Sequence, residues 1–156
     1  MAIKGLSHIT LVCADLDRME EVLVKVLRAR RVYDSGTDTF SVSEERFFIV
    51  GEANPYDELD GVWMAVMKGD PLDQRSYNHI AFSVDETELV TAEHAVKTLG
   101  LEIKPARPRV EGEGQSLYFY DHDNHLFELH SGSLRTRLNR YQQRPPRWHF
   151  GFVEGQ

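Results

Sequence analysis

The chain carries one short phrase twice. Residues 7–15 read SHITLVCAD and residues 78–85 read NHIAFSVD. Each copy is a polar residue, His-Ile, an apolar alternation and an Asp, so His8 and His79 hold equivalent places. Alternation of this kind describes a half-buried strand, whose successive side chains face opposite sides. A helix pattern follows each copy. Met19, Val22, Leu23, Val26 and Leu27 recur at helical spacing after the first, and Asp17 with Glu20 has capping-box spacing. Leu89, Ala92, Val96 and Leu99 make the stripe after the second, Asp85 with Glu88 repeats the box, and Gly100 supplies the stop. Strand-like segments come next in both halves: Arg31–Tyr33, Arg46–Val50 and Val62–Met67, then Glu102–Lys104, Ser116–Tyr120 and Leu126–His130.

Two copies are too few for a solenoid, which needs about three or more. The expectation is an α+β fold of paired βαβββ modules related by a pseudo-twofold axis, with the two His strands side by side near that axis. The first module spans 1–68, the second 76–132, and 133–156 is a C-terminal helix and tail. The polar stretch Gly51–Gly61, with Asn54-Pro55, reads as an elongated hairpin loop. PARPRVEGEG, residues 105–114, reads as a mobile loop. Ser133–Gln142 reads as a short helix, and the stretch beyond Arg144 has no period.

Bulk properties then remove several function classes. A length of 156 residues suits one ordinary domain or two small fused modules. A net charge of -7 argues against a polyanion, so no nucleic acid partner is expected. A small anionic substrate would need a local cluster of Arg, Lys or metal. The single cysteine, Cys13, forbids an internal disulfide and suits a reducing, cytoplasmic setting. There is no apolar run long enough for a membrane span, and Met1-Ala2-Ile3-Lys4 is too short and polar for a signal peptide.

The chemistry-bearing constellation is His8, His79 and Glu128. In the string NHLFELH, alternation puts Leu126, Glu128 and His130 on one face of a strand and Phe127 and Leu129 on the other. A carboxylate facing the same way as two symmetry-related histidines makes a two-His, one-carboxylate metal site with open positions. Mn(II), Fe(II) and Zn(II) all suit such ligands. His94, His122, His125, His130 and His149 have no repeat partner and read as structural, with His130 a second choice as ligand.

The strings GLSHITLV, SYNHIAF, RPRVEGEG and SLYFYDHDNHLFELHSGSL, with Arg137 after them, resemble the fosfomycin resistance proteins of the vicinal-oxygen-chelate (glyoxalase/bleomycin resistance) superfamily. The resemblance spans roughly residues 4–140 and is closest to the FosX-type epoxide hydrolases. It implies a homodimer in which His8 of one subunit meets His79 and Glu128 of the other, with Mn(II) as the usual metal. It also implies that Glu45, in SVSEERFFIVG, is the catalytic carboxylate that thiol transferases of the group lack. Alternation puts Glu45, Phe47 and Ile49 on one face and Glu44, Arg46 and Phe48 on the other, so only one of the two neighbouring carboxylates can face the site.

Ser116, Tyr118 and Arg137 match the family's anion-binding positions, and Ser116 and Tyr118 share a strand face. Arg107 and Arg109 in the 105–114 loop are weaker candidates for substrate contact, and Tyr77, Trp63 and Thr10 are expected to line the pocket. The implied activity is metal-dependent hydration of the fosfomycin epoxide to a vicinal diol. Alternatives are a thiol transferase opening the same epoxide, a dioxygenase of the superfamily, and a metal-free drug-binding protein. Two features depart from the family pattern: the longer Gly51–Gly61 loop and about sixteen extra residues at the C-terminus.

Overall fold

A computed structural model describes residues 2–39, 41–106 and 113–142. The first half runs β1 (His8–Cys13), α1 (Leu16–Lys25), β2 (Arg30–Asp34), β3 (Glu45–Val50) and β4 (Val62–Lys68). The second repeats the order with β5 (His79–Ser83), α2 (Glu88–Thr98), β6 (Glu102–Lys104), β7 (Ser116–Tyr120) and β8 (Leu126–His130), and α3 (Leu134–Gln142) closes the described chain. The expected βαβββ pair is therefore present, with strand limits within a residue of the sequence pattern.

The halves form separate four-stranded sheets, ordered β1-β4-β3-β2 and β5-β8-β7-β6. The two His strands do not lie side by side within the chain. Each instead pairs in parallel with the last strand of its own half, β1 with β4 and β5 with β8, and so becomes a sheet edge. Register makes the halves superimposable row by row. Across the first sheet the rows are His8–Trp63–Ile49, Thr10–Ala65–Phe47 and Val12–Met67–Glu45. Across the second they are His79–Leu126–Tyr120, Ala81–Glu128–Tyr118 and Ser83–His130–Ser116.

The opposite sheet faces build the core. Leu11, Phe48 and Met64 from the first sheet join Leu117, Phe119, Phe127 and Leu129 from the second, with the α1 and α2 stripes between them. Met19, Val22, Leu23, Val26 and Leu27 are all buried, as the spacing requires. Burying a side chain of this size contributes about 1.5–3 kcal/mol. Phe119 and Phe127 stack at 5.5 Å and are fully enclosed, so truncating either to Ala costs about 3–5 kcal/mol.

The helix starts differ from the sequence reading. Asp15, not Asp17, caps α1: it is extended, at φ -136 and ψ 108, and its carboxylate accepts from the Asp17 and Arg18 amides at 2.9 and 3.1 Å. Glu20 is drawn away to Arg31 and Arg46, at 2.9 and 2.8 Å. The Asp85–Glu88 box does not form either. Thr87 precedes α2 without a side-chain cap, and Asp85 contributes only its backbone carbonyl, to the Glu88 amide at 3.0 Å.

The Gly51–Gly61 segment is the β3–β4 hairpin loop. Gly61 sits at φ +131, where a Cβ would lie 2.7 Å from the Ile49 side chain, so only glycine fits. Part of the loop expected at 105–114, with Arg107 and Arg109, and the stretch after Gln142, with His149, lie outside the described residues. No helix among the described residues is long and apolar enough to cross a membrane.

Candidate metal and anion site

The faces that do not enter the core carry the candidate residues. On the second sheet, β5, β7 and β8 bring His79, Glu128, Ser116 and Tyr118 together. His79 Nε2 lies 2.9 Å from Glu128 Oε2. The other ring nitrogen, Nδ1, is 2.8 Å from the Tyr77 carbonyl oxygen. A carbonyl only accepts, so Nδ1 carries a proton, and Nε2 is the ring atom that faces the carboxylate. Two acceptors at that distance need a cation between them, either a proton or a metal. A backbone carbonyl that fixes the tautomer is the usual outer support of a histidine ligand. The donor set therefore fits a divalent ion.

Glu128 is 5% exposed. Burial opposes its charged form, but hydrogen bonds from Ser116 and Tyr118 outweigh that effect, and the carboxyl titrates below its ordinary range. Tyr118 moves the opposite way: burial first, then its contact with Glu128, hold the phenol protonated well above its usual pKa. It thus remains a donor. Tyr77 walls this side, with its ring 5.1 Å from His79 and 6.4 Å from Tyr118. Arg137 reaches over from α3, its guanidinium 3.5 Å from His130 Nε2. His130 Nδ1 is 3.8 Å from Glu128 Oε1 and 2.8 Å from Ser116 Oγ.

On the first sheet, His8 lies against Trp63 with rings 4.5 Å apart, and Trp63 meets Phe47 edge-on at 5.5 Å. Thr10 is on the same face, one row along, and exposed. Glu45 occupies the next row, beside Met67, and is 8% exposed. Ser41 Oγ donates to its Oε2 at 3.2 Å, and Ser35 Oγ accepts from its amide at 3.0 Å. Glu44 turns away to an ion pair with Lys68 at 3.0 Å. The register expected for the two carboxylates is the one observed.

Within one chain, then, the candidates divide into two groups. His8, Thr10, Trp63 and Glu45 share the first sheet. His79, Glu128, Ser116, Tyr118, Tyr77 and Arg137 share the second. Among the described residues, no three His, Cys, Asp or Glu side chains converge closely enough to hold a metal. A cleft of about 460 Å³ opens elsewhere, floored by Val50, Val62, Phe82 and Leu129, and touches none of these residues. Cys13 is fully buried, and burial together with Asp123 and Asp121 pushes its thiol up to about 12, which fits its reading as a packing residue. The sequence reading missed Ser35 and Ser41, whose only signal was the serine-rich lead into β3.

No family profile matches the chain. Individual proteins do. It is 49% identical over 141 residues to fosfomycin resistance protein FosX of Listeria monocytogenes serovar 1/2a, across 90% of this chain and 99% of that one. It is 32% identical over 157 residues to the metallothiol transferase FosB of Bacillus licheniformis, across 98% of this chain and 90% of the other. Among solved structures, a mutant of FosX from Listeria monocytogenes, complexed with Mn(II) and 1S,2S-dihydroxypropylphosphonic acid, superposes with a TM-score of 0.76 at 46% identity. The match covers 90% of this chain and 99% of that one.

Proposed function

This chain belongs to the FosX fosfomycin resistance proteins, and from that membership we infer that it adds water to the oxirane of fosfomycin, in a metal-dependent hydrolysis giving a vicinal diol. One observation carries the reading. The FosX structure that this chain matches holds Mn(II) with a dihydroxypropyl phosphonate, which is the species that hydration of the epoxide would leave.

The roles proposed for individual residues carry over from the family resemblance, and the arrangement on the two sheets is compatible with them. His8, His79 and Glu128 are the proposed ligands of the ion. Bound there, Mn(II) would supply a Lewis acid to the opening epoxide. Glu45 takes a proton from water, whose oxygen bonds to the oxirane carbon bearing the phosphonate, from the side opposite the breaking C–O bond. The released alkoxide takes up a proton, and the product is the diol. Arg137 offers donors to the phosphonate, with Arg109, from the 105–114 loop, as a further candidate, while the hydroxyls of Tyr118 and Ser116 donate to Glu128. Trp63, Tyr77 and Thr10 wall the pocket.

The same reading makes the working unit a homodimer. It is supported by the division of candidates between two sheets, by the exposed His8 face, and by the place of β1 and β5 at sheet edges among the described residues. Unpaired strand edges are surfaces that folded proteins cover or blunt. The α3 stripe of Leu134, Leu138 and Tyr141 is also exposed, at 71%, 47% and 42%. The lone thiol suits a cytoplasmic setting. Thiol transfer to the same epoxide is the alternative, and the lower identity to FosB supports it less.

Phosphorus NMR of fosfomycin with the purified protein and Mn(II), with and without thiols, tests the reading. The diol should form without thiol and at an unchanged rate when thiol is added. A product that appears only with thiol overturns hydrolysis.

A further inference from the structure

We propose that His130 is a positioning residue that ties the metal-binding carboxylate to the anion-binding arginine, through one hydrogen-bond chain running Arg137, His130, Ser116, Glu128. The inference rests on the roles proposed above for Glu128 and Arg137.

Proton accounting fixes the direction of the chain. Ser116 Oγ is in short contact with Glu128 Oε1, and a carboxylate only accepts, so the hydroxyl proton lies on that side. Toward His130 Nδ1, at 2.8 Å, Ser116 must then accept. Nδ1 therefore carries the ring proton. The Gln115 carbonyl, 3.1 Å from the same nitrogen, requires the same tautomer. The remaining nitrogen, Nε2, presents its lone pair to the guanidinium of Arg137, which has only donors to offer. These contacts agree on one arrangement of the protons.

The surroundings hold the ring in that place. The side chains of His130 and Glu128 are 16% and 7% exposed. Position 132 is glycine, and a Cβ there would lie 2.6 Å from Nε2. The backbone after β8 is thus free of the one side chain that would push the ring off Arg137.

This arrangement also reassigns Ser116. Its single proton is committed to Glu128, so it orients the carboxylate and is not a donor to the phosphonate. Outer partners of this kind typically change metal affinity by about 10–100-fold.

Two near-isosteric substitutions separate the two ends of the ring. The side-chain amide of Asn reaches the Nδ1 position and that of Gln reaches the Nε2 position. His130→Asn keeps a donor for Ser116 and loses the acceptor for Arg137. His130→Gln does the reverse. Mn(II) affinity is read by electron paramagnetic resonance of the free ion, and KM for fosfomycin by phosphorus NMR at saturating Mn(II). His130→Gln and Ser116→Ala should weaken Mn(II) binding by about 10–100-fold and leave KM near that of the parent. His130→Asn should keep Mn(II) affinity and raise KM by about tenfold.

Equal effects of Asn and Gln on both readouts would overturn the proposal, because a purely structural histidine has no such split. Unchanged Mn(II) affinity in Ser116→Ala would also overturn it, whatever the His130 variants do. Glu128→Ala serves as control. If it binds Mn(II) fully, the ligand assignment itself fails; if it loses the metal while His130→Gln keeps it, only the chain fails.

Discussion

Replacing Glu45 by Gln isolates the proton-transfer step from everything else the residue does. Glu45 is buried, on the face it shares with Phe47 and Trp63, and its Oε2 accepts from Ser41 at 3.2 Å. The Gln side chain has the same length, and its amide oxygen can keep the Ser41 bond, so fold and metal content should stand. What it loses is the capacity to take a proton from water. Removing a general base costs about 10²–10⁴-fold, or about 2.7–5.4 kcal/mol in the barrier at about 1.36 kcal/mol per decade. The neighbouring Glu44→Gln is the internal control. It breaks an ion pair with Lys68 between side chains 34% and 50% exposed, and exposed pairs contribute about 0–1 kcal/mol. That corresponds to a Tm shift of at most about 2–4 °C for a chain of this size and leaves the reaction untouched. Diol formation by phosphorus NMR, with Mn(II) content and Tm measured alongside, provides the comparison. If both variants hydrate at the parent rate, the hydrolase assignment of Glu45 is wrong. If Glu44→Gln is the inactive one, the proton acceptor lies on the opposite face of β3 from that proposed here.

Three further outcomes are expected. His8→Ala, His79→Ala and Glu128→Ala should each lose stoichiometric Mn(II) by elemental analysis, since two remaining ligands hold a labile ion poorly; a full complement in any of them refutes that ligand. Mixing inactive His8→Ala with inactive Glu128→Ala should restore part of the activity, because one site of the mixed dimer regains every ligand; demonstrated subunit exchange with no recovery rules out sharing. Cys13, with its thiol pushed up to about 12, should resist iodoacetamide near pH 8 in the folded protein and react fully in guanidinium chloride. The raised pKa stabilises the fold below the unfolded thiol's value of about 8.5, and that contribution is lost as pH rises toward 12. Rapid native labelling would contradict the burial.

Much of this molecule was legible because its strands alternate cleanly. The face carrying Glu45, Phe47 and Ile49, and the one carrying Leu126, Glu128 and His130, follow from period two alone, and the α1 stripe follows from period 3.6. The helix starts were not legible, because a capping box is a spacing that several acidic residues can satisfy. Asp15 took the α1 cap only because its backbone is extended there, and Arg46 captured Glu20 only once β3 lay beside α1. Sheet partnership was equally hidden. The repeat says that β1 and β5 are equivalent, not which strand each will pair with. His130 was legible as a face-mate of Glu128 but not as the partner of Ser116 and Arg137. That relation depends on the β7–β8 register, which pairs Ser116 with His130, and on where α3 turns back.

The row-by-row equivalence of the two sheets also bears on stoichiometry. The place that Glu128 holds in the second half belongs to Ala65 in the first, and the place of His130 belongs to Met67. A methyl stands where the proposed carboxylate ligand would be needed, and it offers a divalent ion no donor atom. Duplication of the fold therefore did not duplicate the site. Titration with Mn(II) should saturate at one ion per chain, and no second, weaker ion should follow from the pseudo-symmetry.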